Sequence, residues 1–147
     1  MAFEFKIVRD VQWSDTDMAG IMHFSNFFRF MEAAEHAFFR SLGYSIYTTH
    51  PERVGWPRVH ADCDFRYPLT FEDSVEVHLL VREKTARTIS YRFVFRKLNE
   101  EPARVVAHGA LTVACVTRDA EGRLKSRPIP EAIAEKIEPA PLEMLNA

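Results

Sequence analysis

The sequence predicts an α+β domain. Two observations predict it: one long amphipathic segment lies early in the chain, and a meander of segments with period-2 alternation follows. At 147 residues, the chain fits one domain, 1–147, with enough length for a real core.

The elements follow in order. Phe5, Ile7 and Val11 alternate with Lys6 and Gln12 in a first strand; Val8 and Arg9 interrupt the pattern, as a bulge or a partly covered strand would. A helix is expected over 25–42. Phe27, Met31, Ala34, Phe38 and Leu42 recur at helical spacing on one face, and Ser25, Arg29, Glu32, His36 and Arg40 mark the other. Gly43 stands where a helix cap would. Residues 44–57 read as a loop broken by Pro51, Gly55 and Pro57.

Four strands are expected next. Over 58–67, Val59, Ala61, Cys63 and Phe65 alternate with His60, Asp62, Asp64 and Arg66. Over 74–84, Val75, Val77, Leu79 and Val81 alternate with Glu76, His78 and Arg82, and over 88–98, Ile89, Tyr91, Phe93 and Phe95 alternate with Ser90, Arg92 and Arg96. The last, 103–117, is long and largely apolar. Asn99-Glu100-Glu101-Pro102 and Asp119-Ala120-Glu121-Gly122 are turn sequences. Pro130 opens a short helix to about residue 138, and the tail beyond Pro139 is expected to be loose, so that 128–147 form a C-terminal helix and tail. The Phe-rich stripe of the long helix needs a cover, and a curved antiparallel sheet offers one. Periodicity alone does not select that packing over another built from one helix and five strands.

Composition excludes several classes. Charged residues make up 27% and apolar residues 47%, and the net charge is −2. Nothing there predicts nucleic acid or an anionic membrane as a partner. No apolar stretch approaches the ~18 residues of a membrane span. The N-terminal residues lack a signal peptide's basic start and apolar core, so the chain reads as cytoplasmic. Cys63 and Cys115 stand at apolar-parity strand positions and read as reduced, buried thiols. Six histidines show no paired zinc spacing, so no metal is expected. His60, Asp62 and Asp64 share a strand face that Arg66 continues, which favours a row of ion pairs. Serine-elbow, P-loop and dinucleotide-binding motifs are absent.

The chemistry concentrates between Trp13 and Phe28. Asp15 and Asp17 end a strand-like run, Gly20 follows, and the long helix opens just beyond. A carboxylate beside a helix N-terminus pairs a base or nucleophile with free backbone N–H groups. Acyl chemistry needs both, the second for the oxygen that becomes negative. Either aspartate could instead make an Asx turn or cap the helix.

This run resembles the acyl-CoA thioesterases of the hot dog fold, in the 4-hydroxybenzoyl-CoA thioesterase-like branch. The pattern is met by Trp13, Asp15, Asp17, Gly20, Ile21, Met22, Asn26 and Phe27. His23 stands where the family has the first of an aromatic pair, and Phe24 is the second. The resemblance extends from about Phe5 to Thr117. It implies a curved five-stranded antiparallel sheet wrapped around the long helix, and hydrolysis of an acyl-CoA substrate to an acid and free CoA. It puts the catalytic carboxylate at Asp17, as nucleophile or general base, and leaves Asp15 to shape the loop. It implies that the Phe24 N–H polarises the thioester carbonyl.

His23, Gly20, Phe27, Glu32 and His60 are the candidate substrate-binding residues; His23 either fills the pocket or assists protonation. Arg87 and Thr88 match CoA-binding positions, and the loop 84–88 reads equally as an exposed basic turn. Thr85 and Ala86 fall where the aromatic-CoA enzyme has arginines. No cofactor is implied, CoA being part of the substrate. Sites of this fold lie between subunits, so a homodimer or homotetramer is expected. A non-catalytic acyl-CoA or small-ligand binder and a dehydratase on the same fold are the alternatives.

Overall fold

The computed structural model describes residues 1–147. Strands β1 (Glu4–Asp10), β2 (Arg58–Phe65), β3 (Ser74–Lys84), β4 (Thr88–Lys97) and β5 (Arg104–Ala114) form one antiparallel sheet in the order β1-β3-β4-β5-β2. Helix α1 (Ser25–Ser41) lies on its inner face. The alternation explains which face is inner. Val75, Val77, Leu79 and Val81 of β3 and Ile89, Tyr91, Phe93 and Phe95 of β4 are buried against the helix. Each such side chain contributes about 1.5–3 kcal/mol on burial.

The buried stripe of α1 is wider than its narrowest periodic reading. Phe30, Glu35 and Phe39 join Phe27, Met31, Ala34 and Phe38 inside, whereas Leu42 is only partly covered. The helix side chains come close to β5 at Gly109. A Cβ built there would stand 2.1 Å from Met31 Cε, so any larger residue would force the buried methionine to shift.

Strand β2 departs from its expected burial. Val59 and Phe65 are 61% and 49% exposed, and Ala61 is exposed as well. Cys63 is half-buried and Cys115 fully buried. The reason is position: β2 is an edge strand with a neighbour on one side only. A register shift between Arg58 and His60 turns Arg58 inward, toward the helix.

The long apolar run at 103–117 is two strands. β5 ends at Ala114, the Cys115 N–H turns aside to the Arg87 carbonyl at 2.8 Å, and β6 (Val116–Arg118) pairs in a separate hairpin with β7 (Leu124–Ser126). The C-terminal residues are not a loose tail. After helix α2 (Glu131–Ala134), the Glu138 N–H bonds the Ala2 carbonyl at 3.0 Å and the Ala140 N–H bonds the Val81 carbonyl at 2.7 Å. Helix α3 (Leu142–Leu145) then buries Leu145 with Ala140 over Leu80 and Val94 on the outer face of the sheet. Two apolar side chains on that face need a cover, and the terminal segment supplies it. No helix is long and apolar enough to cross a membrane.

Candidate active site

The loop from β1 to α1 is built around backbone hydrogen bonds. Trp13–Asp15 make a single 3-10 turn, and one carboxylate oxygen of Asp15 accepts the Gln12 N–H at 2.8 Å. The Asp15 carbonyl accepts the His23 N–H and the Asn26 side-chain amide, each at 2.8 Å. Asp15 therefore ties the loop to the start of the helix. Within the loop, the Asp17 N–H bonds the Ile21 carbonyl at 3.0 Å, and the Gly20 N–H returns to the Asp17 carbonyl at 3.0 Å. Gly20 has φ +82°, a conformation open to glycine at no steric cost. Its contribution is to the turn that presents Asp17.

Asp17 is exposed. Its Oδ1 accepts the Ala19 N–H at 2.8 Å, which holds the carboxylate in an Asx turn and leaves Oδ2 unengaged.

The helix start provides the complementary group. Among the amides from Phe24 to Phe27, the Ser25 N–H bonds His23 Nδ1 at 3.3 Å, the Asn26 N–H bonds the His23 carbonyl at 2.9 Å, and the Phe27 N–H bonds the Phe24 carbonyl at 3.2 Å. The Phe24 N–H has no acceptor in the chain. It is a free donor at the positive end of a 17-residue helix. Asp15, Asp17, His23, Ser25, Asn26 and Arg29 line a cavity of about 490 Å³. Trp13, Met18, Phe24, Phe65 and Phe71 are exposed; Trp13 packs edge-on to Phe71, and Phe24 edge-on to Phe65.

The other candidate residues disperse. Phe27 is 3% exposed and packs edge-on against Phe65 and Phe95, so it belongs to the core and not to a substrate surface; its place on the Phe27–Met31 stripe turns it toward the sheet. Glu32 lines a second cavity of about 210 Å³ with Phe28, Arg29, Arg58, Ala61 and Leu111, its Oε2 3.5 Å from Arg58 Nη2. His60 stands opposite Thr112 on the outer face, its Nε2 2.7 Å from Asp62 Oδ2, and does not meet Glu32 or Asp17. Arg87 and Thr88 lie at the far end of the sheet, where Arg87 Nη1 bonds Ser126 Oγ at 3.2 Å. The ten residues of β4 separate that end from the Asp17 end, a span of about 33 Å at the rise of an extended strand. One chain does not bring Arg87 and Asp17 together.

A buried polar cluster has no counterpart among the expected residues. Glu35 is fully buried; Arg58 Nη2 lies 2.5 Å from its Oε1, and Arg58 Nη1 bonds the Trp56 carbonyl at 3.1 Å. Burial outweighs the guanidinium and pushes the Glu35 carboxyl up to about 7. The Tyr91 hydroxyl is buried without a hydrogen-bond partner, and burial raises its pKa further, helped by the Glu35 charge. The spacing Met31, Glu35, Phe39 carries the signal: Glu35 interrupts an apolar row at i and i+4.

Comparison with known proteins decides the family. The thioesterase-like superfamily profile matches residues 11–137. The chain belongs to that superfamily. This thioesterase-like chain is 33% identical over 81 residues to a 1,4-dihydroxy-2-naphthoyl-CoA hydrolase of Synechococcus sp. (strain CC9902), a match spanning 51% of the chain and about half, 54%, of that enzyme. The structure of a gentisyl-coenzyme A thioesterase superposes with TM-score 0.75 at 28% identity, covering 88% of this chain and 99% of that one. The 4-hydroxybenzoyl-CoA thioesterase of Pseudomonas sp. strain CBS-3 superposes with TM-score 0.81 at 20% identity, over 91% and 99% of the two chains, and shares the fold. The thioesterase-like chain thus has the hot dog architecture: an antiparallel sheet wrapped around α1.

Proposed function

We propose that this chain hydrolyses an acyl-CoA thioester to a carboxylic acid and free CoA, with Asp17 as nucleophile or general base and the Phe24 N–H polarising the carbonyl. One observation carries the reading. Asp17, whose Oδ2 is unengaged, lines the same cavity as His23 and Ser25, the sequence neighbours of the unengaged Phe24 N–H. The arrangement supplies an attacking or water-activating oxygen and a preorganised donor for the oxygen that gains charge. A thioester suits it because thiolate leaves without a strong acid. The named relatives, which act on 1,4-dihydroxy-2-naphthoyl-CoA and gentisyl-coenzyme A, support CoA esters as the substrate class.

A cytoplasmic homodimer or homotetramer completes the reading. The exposed Val59 and Phe65 on the open edge of β2, and the exposed Phe24 beside Phe65, support a second copy at this surface. Arg87 and Thr88 would then meet CoA bound to a neighbouring subunit.

The test is a panel of acyl-CoA esters with free thiol as readout. Thiol release by the wild-type chain, lost in Asp17→Asn, is the expected result. Tight binding of the esters without turnover would make the chain a binding protein, and water loss from a 3-hydroxyacyl-CoA would make it a dehydratase.

A further inference from the structure

We infer that His23 is a second hydrogen-bond donor to the thioester carbonyl, its ring proton held on Nε2 by Ser25. The inference rests on the thioesterase reading and adds a catalytic residue to it. Its basis is the pair of contacts at one ring nitrogen. His23 Nδ1 lies 2.8 Å from Ser25 Oγ and 3.3 Å from the Ser25 backbone nitrogen, whose N–H is directed at it. A backbone N–H can only donate, so Nδ1 must be the acceptor and carry no proton. The Ser25 hydroxyl then donates to the same lone pair.

Any other assignment sets two donors against each other. A proton on Nδ1, whether in the other tautomer or in the imidazolium, would face the Ser25 N–H donor to donor. That N–H has no alternative acceptor in the chain. The proton of the neutral ring is therefore on Nε2, which makes no hydrogen bond within the protein.

The ring is also fixed in plane. It stacks on Phe24 with centroids 4.7 Å apart and planes at 30°. It lines the cavity that Asp17 lines. Residues 23 and 24 thus carry two unengaged donors, the imidazole Nε2–H and the Phe24 N–H, at the positive end of α1.

An imidazole N–H polarises a carbonyl by donating a hydrogen bond to its oxygen. Proton transfer from it would leave an imidazolate, so His23 donates a hydrogen bond throughout and gives up no proton. As the carbonyl oxygen becomes negative, both hydrogen bonds strengthen, and that difference lowers the barrier. Ser25 is a positioning residue: its backbone N–H sets the tautomer.

The test combines spectroscopy with substitution. In the substrate-free wild-type protein labelled with ¹⁵N-histidine, long-range ¹H–¹⁵N correlations at pH 7.5 should show His23 as the Nε2–H tautomer. Ser25→Ala removes the hydroxyl but keeps the backbone N–H directed at Nδ1, so it should leave the Nε2–H tautomer in place. His23→Phe should lower kcat roughly 10- to 100-fold, with KM nearly unchanged. His23→Gln carries an amide N–H at the Nε2 position and should recover most of that loss. His23→Asn, whose amide reaches only the Nδ1 position, should not. Thermal melts of each variant identify any that fail to fold, and the tautomer measurement decides the matter without them.

A wild-type ring protonated on Nδ1 overturns the inference, as does a folded His23→Phe within twofold of wild-type kcat, or equal activity of the Gln and Asn variants. Failure of the wild-type chain to release thiol from any ester is a different result. It removes the thioesterase reading and leaves the tautomer as measured.

Discussion

Asp17 divides its carboxylate between two tasks. Oδ1 is held by the Ala19 N–H, and Oδ2 is unengaged in a residue that lines the cavity. An asparagine can keep the turn through its own carbonyl oxygen but offers no charge. Asp17→Asn should therefore melt within a few degrees of wild type and lose roughly 100-fold or more in kcat, read by thiol release and calorimetry on the same preparation. A variant within threefold of wild type would take the chemistry away from Asp17. The Phe24 donor can be removed more selectively than most backbone groups. Phe24 has φ −56° and its N–H is unengaged, so proline fits there without loss of a structural hydrogen bond. Phe24→Pro should cost about 10²- to 10³-fold in kcat, while Phe24→Ala, which keeps the N–H, should cost far less. Equal losses in the two would assign the effect to the ring.

At the level of the elements, Glu35 couples helix to strand. Its carboxyl is held at about 7 in the folded chain, above its ordinary 4.5, chiefly by burial. A raised carboxyl favours the folded state while protonated. The stability it contributes is complete below about 4.5 and is lost as pH rises through about 7. Glu35→Gln removes that titration. Chemical denaturation at pH 5 and pH 8 should show the variant gaining on wild type by roughly 3 kcal/mol across the interval, and an unchanged difference would mean that Arg58 keeps the carboxylate ionised throughout.

This cluster also marks where the sequence is legible. Strands β3 and β4 were readable because both neighbours of each are strands, so alternation translates directly into burial. Strand β2 carries the same alternation but lies at an edge, and burial there depends on what covers it. The break at Cys115 was hidden because one apolar run can serve a sheet and then a hairpin without changing composition. The docked C-terminus was hidden because Leu145 becomes core only once Leu80 and Val94 face outward beneath it. The Asp17 loop was legible through its motif. The pairing of Glu35 with Arg58, 23 residues apart, required the fold.

For the whole molecule, the exposed edge of β2 is the feature to explain. Phe65 stands at 49% exposure beside Phe24, with ring centroids 6.5 Å apart. An open apolar edge of this kind is where a second copy would pair under the proposed reading. Sedimentation should find a dimer or larger assembly at micromolar concentration. Phe65→Glu should shift it toward monomer and lower turnover in parallel. A fully active monomer would refute the shared site.

The length of β4 has a consequence for mixtures of chains. If a CoA molecule enters its acyl end at Asp17 of one subunit and its nucleotide end at Arg87 of a neighbour, then the two halves of each site are inherited from different chains. A chain carrying Asp17→Asn and a chain carrying Arg87→Ala are each defective in both sites of their own dimers. In a mixed dimer the defects segregate: one site receives both lesions, and the other receives neither. Unfolding and refolding the two variants together at equal ratio should restore about a quarter of the wild-type sites, by random pairing of a symmetric dimer. The defective chains would complement each other, as two halves of a genetic cross do. Refolded mixtures no more active at low substrate than the average of their parents would mean that each chain binds its CoA alone.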